Sequence, residues 1–331
     1  MTTELPDISR GWPGRIHSLT IGGTRDQGGT RERTVTIGGG TTLPFHHFDG
    51  AMRHRPAVAL EITDTTPYDW PEALRAPVAD VMHAPAAWAE HCTRPIAGIS
   101  GPDLLCLRLD GCNPNGADRS PEQTAVVARA VRDAVDLPLV IWGCGDVEKD
   151  AEVFPAVAEA LAGERCLLGT ITDRNYRTLT ALATAFGHSV IAESPVDINM
   201  AKQINILAID AGFPEERLVI YPTTGALGYG IEYVYSIIER LRIGALKGDR
   251  LVSMPIVADI GREVWSVKEA RATLTEEPAW GDENRRGPAW ETATALTYLH
   301  AGADLVILRH PEAVAATKRA IDRLMIGAAA G

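Results

Sequence analysis

The stretch LLCLRLD, residues 104–110, is short, apolar at nearly every position, and breaks off in a carboxylate before the turn-forming GCNPNG of residues 111–116. A strand with one wet face alternates apolar and polar residues, whereas a strand covered on both faces does not need to. Runs of the same kind recur along the chain: PAVALEIT at 56–63, LPLVIWG at 137–143, RCLLGT at 165–170, SVIAE at 189–193, RLVIY at 217–221, LVSMPIVA at 251–258 and DLVILR at 304–309. Each is followed by a segment with helical periodicity. Eight β-then-α units predict an α/β fold of the (β/α)8, or TIM-barrel, class. A doubly wound open sheet, which normally stops at about five to seven strands, is the alternative.

The helices carry their own start signals. Ser120-Pro121-Glu122-Gln123 is a capping box with proline at the first helical position, and His310-Pro311-Glu312 opens the last helix in the same way. Ile231, Val234, Ile238, Leu241 and Ala245 form an apolar stripe at helical spacing, which reads as core. Upstream of the first run, LTIGG at 19–23 and VTIGG at 35–39 flank a polar, glycine-rich segment and predict a β-hairpin. The chain thus divides into an extension, residues 1–55, whose hairpin plugs the barrel bottom, and the barrel itself, residues 56–331. A polar insertion at 273–287 reads either as a functional loop or as surface decoration.

The chain has 331 residues, 45% of them hydrophobic and 23% charged, enough to bury a large core. A net charge of -11 without a dense Lys/Arg run argues against nucleic acid as a partner. The first ten residues have neither a basic start nor an apolar run, and no segment approaches the ~18 apolar residues of a membrane helix, so a cytoplasmic protein is expected. The cysteines, Cys92, Cys106, Cys112, Cys144 and Cys166, include no C-x-x-C pair. They read as reduced thiols rather than as a disulfide, zinc or iron-sulfur framework.

In a barrel of this kind ligands sit at the carboxyl ends of the strands, and these ends are polar. Glu61, Thr63 and Asp64 end the first run; Asp110, Cys112, Asn113 and Asn115 end or follow the second; Glu193, Ser194, Asp197 and Asn199 follow the fifth; Thr223 and Thr224 the sixth, Asp259 the seventh and His310 the eighth. Asp110 and Asp259 read either as a carboxylate pair for acid-base work or as residues that bond loop amides and cap helices. Asp197, just before a helical stripe, is an N-cap. Cys112 and Cys144 both follow strand ends and face each other in this reading, but no residue with metal-ligand spacing accompanies them, so no metal site is expected. His46-His47 precedes the first run, and no D-x-H-x-x-G sequence supplies a cobalt-ligating histidine. The loop PTTGALGYG, 222–230, is either a close approach of backbone to ligand or a tight β-to-α turn; it is no Walker motif or dinucleotide fingerprint.

Long stretches resemble the small, or delta, subunit of the corrinoid iron-sulfur protein of acetyl-CoA synthase/decarbonylase complexes. They are VTIGGGTTLPFHHFDG (35–50), LRLDGCNPNGADRS (107–120), SPVDINMAKQINIL (194–207), PTTGALGYGIEYVYSIIER (222–240), WGDENRRGPAWETATAL (280–296) and AGADLVILRHPEA (301–313). The resemblance implies a dihydropteroate-synthase-like barrel paired with a large (gamma) subunit. That partner would carry the [4Fe-4S] cluster, with a corrinoid (cobalamin) shared at the interface. It implies passage of a methyl group from a methyl-tetrahydrofolate or related pterin, by way of a methyl-pterin methyltransferase, to acetyl-CoA synthase/CO dehydrogenase in the reductive acetyl-CoA (Wood-Ljungdahl) pathway. One departure is Tyr221, where the family pattern places an acidic residue before Pro-Thr-Thr-Gly. Asp110, Asn113, Asn199, Thr223, Thr224, Gly225 and Tyr229 are the residues expected to face the corrinoid, with no catalytic residue on this chain. A self-sufficient pterin-dependent methyltransferase on the same barrel is the alternative function.

Overall fold

Residues 11–326 are described in the computed structural model; the first ten residues, read above as free of a leader, lie outside them, as do 327–331. Two strands, β1 (Ser18–Ile21) and β2 (Val35–Gly38), pair antiparallel with Ser18 opposite Gly38. Eight further strands, β3 (Ala57–Thr63), β4 (Leu104–Arg108), β5 (Leu139–Trp142), β6 (Leu167–Ile171), β7 (Ser189–Glu193), β8 (Leu218–Tyr221), β9 (Val257–Asp259) and β10 (Leu305–Leu308), pair in parallel in the order 8-7-6-5-4-3-10-9. The ends of that order meet: Ile220 bridges Ile256, and its N–H donates to the Pro255 carbonyl at 2.9 Å. The sheet therefore closes into the barrel expected from the sequence, and the open sheet is excluded.

Closure explains why the runs are apolar on both faces. Val58, Leu60, Ile62, Leu105 and Leu107 point outward into the layer of helices. Ala57, Ala59, Leu104, Cys106, Val140, Leu167, Ile191, Val219, Val257, Leu305 and Ile307 point inward, where they share one buried cluster with Leu19, Ile21 and Ile37 of the hairpin. Around the barrel, Ser120 Oγ accepts from Gln123 N while Gln123 Oε1 accepts from Ser120 N, the reciprocal cap read from the sequence. Val234, Ile238, Leu241 and Ala245 bury one face of helix Ile231–Leu246. No helix among the described residues is long and apolar enough to cross a membrane.

Two boundaries differ from the sequence reading. The strand in the seventh run begins only at Val257, with Pro255 and Ile256 pairing just before it as an isolated bridge to Ile220, and the run's first residues form the turn Arg250–Val252. Helix Glu283–Ala301 begins inside the polar insertion, capped by Asp282, and carries Gly287 and Pro288. Glycine is required at 287 since a Cβ there would lie 2.3 Å from the Trp265 ring. The rest of the insertion is tied down by Arg286, whose guanidinium donates to the carbonyls of Glu269, Ala272 and Gly281.

Candidate functional site at the barrel mouth

The inward parity that places alanines and leucines low in the barrel carries charged residues into its upper layer. Arg108 continues the inward face of Leu104 and Cys106, Glu61 that of Ala57 and Ala59, Asp259 that of Val257, and Arg309 that of Leu305 and Ile307. Arg108 Nε and Nη2 donate to Glu61 Oε2 at 3.0 and 2.7 Å, and Nη2 also reaches Asp259 Oδ2 at 2.7 Å. Arg309 Nε donates to the other Glu61 oxygen at 2.7 Å. The Arg108 guanidinium lies over the Trp142 ring, which meets Tyr221 edge-on with centroids 5.0 Å apart, and Arg309 lies over Trp70.

Burial pushes the Glu61 carboxyl up, but the two guanidiniums outweigh it and hold it at about 2. Asp259 shares one guanidinium with Glu61, and there burial prevails and the carboxyl is raised. Arg108 Nη1 and Asp259 Oδ1 are buried and have no partner among the protein atoms. The floor of the mouth thus keeps one donor and one acceptor in reserve.

Above this floor lies a cleft of about 410 Å³ whose walls include Trp70, Arg108, Asp110, Asn113, Arg262, Trp265, Arg271 and Arg309. Asp110 opens the turn Asp110–Cys112, and burial pushes its carboxyl up to about 6. Neighbouring Asp64 is held by Gly111 N at 2.7 Å and Arg119 Nη1 at 2.9 Å. His310 is buried, stacks on Trp265, and is lowered to about 4 by burial.

Of the residues singled out by sequence, the structure brings Asp110 and Asn113 together in this cleft. Asp110 and Asp259 form no direct pair; their common neighbour is Arg108. Thr224 donates to the Asp259 carbonyl at 2.5 Å, and Gly225 is clamped by Tyr298, whose hydroxyl accepts from its N–H at 3.0 Å and donates to its carbonyl at 2.5 Å. Thr223 sits at φ 59, a left-handed conformation held by this packing. Tyr229 stands exposed with its hydroxyl on Glu269 at 3.2 Å. Asn199 is exposed in the first turn of helix Ile198–Asp210, which Asp197 caps as expected by accepting from Asn199 N and Met200 N. Asn199, Thr223, Thr224, Gly225 and Tyr229 do not wall the cleft. His47 Nε2 bonds the Leu324 carbonyl at 3.0 Å, and His46 stacks on Phe48.

Arg108 lies inside an apolar run and Arg309 closes one, and neither is a carboxylate, amide or hydroxyl of the kind that marks the strand ends as candidate ligands. Their signal was parity: each stands an even number of residues from inward-facing leucines. The mouth has a second property. Tyr68, Val196, Met200, Tyr229 and Tyr233, five of the eleven large apolar side chains exposed among the described residues, lie on segments that follow strand carboxyl ends or on the first helical turn beyond, and Leu274 and Trp280 stand further along the connection from β9 to β10.

Comparison with known proteins agrees with this architecture. The family described as CO dehydrogenase/acetyl-CoA synthase delta subunit matches residues 26–274. The acetyl-CoA decarbonylase/synthase complex subunit delta of Archaeoglobus fulgidus is 37% identical over 320 residues, 95% of this chain and 69% of that protein. Its counterpart in Methanopyrus kandleri is 35% identical, covering 96% of this chain and 77% of that one. Among solved structures, a dihydropteroate synthase from Xanthomonas albilineans with 4-aminobenzoic acid superposes with a TM-score of 0.54 at 17% identity, over 84% of this chain and 94% of that one. One from Coxiella burnetii in complex with pteroic acid gives 0.52 at 14%, over 94% and 99%. These likenesses show the shared barrel fold.

Proposed function

Since the chain belongs to the CO dehydrogenase/acetyl-CoA synthase delta subunit family, we propose that its barrel mouth forms one wall of a corrinoid chamber completed by a large, or gamma, subunit. In this reading the partner holds the [4Fe-4S] cluster. A methyl group received from a methyl-pterin through its methyltransferase is carried on to acetyl-CoA synthase/CO dehydrogenase. The observation that carries the reading is the gathering of exposed aromatic and aliphatic side chains at the mouth, where they suit a large partner surface or a flat macrocycle.

The donor set fits a wall. Asn113 and Asn199 offer amides, Thr223 and Tyr229 hydroxyls, and the exposed rings offer apolar area, all suited to the amide-fringed rim of a corrin. Asp110 lines the cleft beside Asn113, and Thr224 and Gly225 brace the neighbouring loop through Asp259 and Tyr298. The mouth's own histidine, His310, is buried, with Nδ1 accepting from Glu312 N, and so is no candidate for a cobalt ligand. When bound, the corrinoid supplies the methyl-carrying centre, and the residues of this chain shape, shield and orient it.

A self-sufficient pterin-dependent methyltransferase is the second reading, favoured by the unpartnered Arg108 Nη1 and Asp259 Oδ1 beneath the cleft. One experiment separates the two. The chain is expressed with and without a large subunit, and methyl-pterin-dependent changes in the cobalt absorption spectrum are followed. Co-purification of a corrinoid-bearing heterodimer, weakened by Tyr233→Ser together with Trp280→Ser, supports the chamber wall. Binding and turnover of methyl-pterin by the chain alone refute it.

A further inference from the structure

Strands β4 and β5 are neighbours, with Arg108 opposite Trp142, and the turn after each brings a cysteine to the same spot. Cys112 closes the turn Asp110–Cys112, and Cys144 follows Trp142 by two residues. Chain spacing alone offers them no third ligand, but the fold supplies one. Asp150, in the first turn of helix Val147–Ala160, points its carboxylate back at the loop, accepting from Cys144 N at 2.9 Å and Gly145 N at 3.1 Å. One ligand atom from each of Cys112, Cys144 and Asp150 lies within 4.8 Å of the other two, and all three residues are buried.

We propose that Cys112, Cys144 and Asp150 bind a thiophilic divalent cation of the zinc class at the β4–β5 side of the barrel mouth. Three further observations favour a built site. A Cβ on residue 143 would lie 2.3 Å from Asp150 Oδ2, so the glycine there is what admits the carboxylate. Lys149, next to Asp150, turns away to Asp118 at 2.9 Å and leaves the carboxylate free of a competing cation. Cys144 is 8% exposed, which gives an ion a way in, whereas Cys92, Cys106 and Cys166 belong to no such group of ligand atoms among the described residues.

Each carboxylate oxygen keeps a lone pair after its backbone bond. Zinc-sulfur bonds of about 2.3 Å in a tetrahedron set sulfurs roughly 3.8 Å apart, so rotation of the thiols by about an ångström closes the set. Two thiol protons leave to solvent as the metal binds. Three protein ligands leave a fourth position for water or an exogenous group, the pattern of an exchangeable rather than a sealed site. The metal would also tie the β4 and β5 turns together, a role independent of the corrinoid reading.

The test uses the reduced, chelator-stripped full chain, titrated with Co2+ and separately with Cd2+. The expected result is thiolate-to-metal charge-transfer absorption that saturates at one equivalent. Cys112→Ser and Cys144→Ser should each abolish it, Asp150→Asn should weaken affinity about tenfold, and Cys92→Ser should leave it unchanged. Should a serine variant fail to fold, iodoacetamide labelling of the unaltered protein with peptide mass mapping decides: metal must shield Cys112 and Cys144 together. Absence of the band at one equivalent, its survival without either cysteine, or unshielded alkylation overturns the proposal.

Discussion

Arg108 on β4 donates to Asp259 on β9 across 2.7 Å, although the two are 151 residues apart in the chain and β3 and β10 stand between their strands. A single guanidinium therefore ties opposite parts of the barrel wall, with Glu61 as the third member. Charges in such a place cost desolvation and are tolerated only as a set.

Replacing one member should cost more than any one bond suggests. Arg108→Leu leaves Glu61 with Arg309 alone and Asp259 without its ion-pair partner, and we expect a loss of about 3–5 kcal/mol in urea unfolding at neutral pH. Because Asp259 can then take up a proton, part of the loss should be recovered toward pH 5. A variant as stable as the parent would show that the network adds nothing.

Asp110 gives a pH signature. Burial raises its carboxyl from an ordinary 3.8 to about 6. The stability carried by its protonated form is complete below pH 3.8 and drains away as pH rises through about 6. Asp110→Asn should flatten the melting-temperature profile between those limits and raise the melting temperature at pH 8. Glu291, pushed by burial to about 7 despite accepting from Trp265 Nε1, Arg309 N and His310 N, continues the decline toward neutrality. Because His310, lowered to about 4, gives the opposite slope over the same range, the check is the difference between variant and parent: an Asp110→Asn profile parallel to the parent's from about pH 4 to 6 would rule the Asp110 shift out.

Tyr298 anchors the loop after β8 through both backbone groups of Gly225. Tyr298→Phe deletes the two bonds and leaves the ring. We expect a cost of about 1–2 kcal/mol, and faster amide hydrogen exchange confined to residues 223–230. Unchanged exchange there would mean that the packing of Thr224 against Asp259 suffices.

Asp197 provides a contrast at the same mouth. Its carboxylate caps helix Ile198–Asp210, so Asp197→Ala should cost about 1 kcal/mol in thermal unfolding. It should not alter association with a large subunit. A binding defect without a stability defect would move Asp197 from cap to contact.

The sequence was most legible where both faces of an element are buried. The eight runs stand out because closure leaves no wet face on β3 to β10, and their ends mark the mouth without any knowledge of pairing. Boundaries differ where a local rule is overridden: β9 begins only at Val257, and the polar insertion gives way at Glu283 to a helix that carries Gly287, where the Trp265 ring leaves no room for a Cβ. The site was legible in part. Asp110 and Asn113 reach the cleft because they follow β4 directly, whereas Asn199 follows an N-cap and projects outward. Which ends meet depends on β10 lying between β3 and β9, a fact of topology that no single window of sequence contains.

The hairpin carries a last consequence. Leu19, Ile21 and Ile37 share the interior cluster with the lower strand residues, so the barrel is a cup with a stopper rather than a tube. Whatever enters does so over the rim and must leave the same way. Under the proposed function, ligand exchange and docking of a partner on the rim would then compete for one doorway.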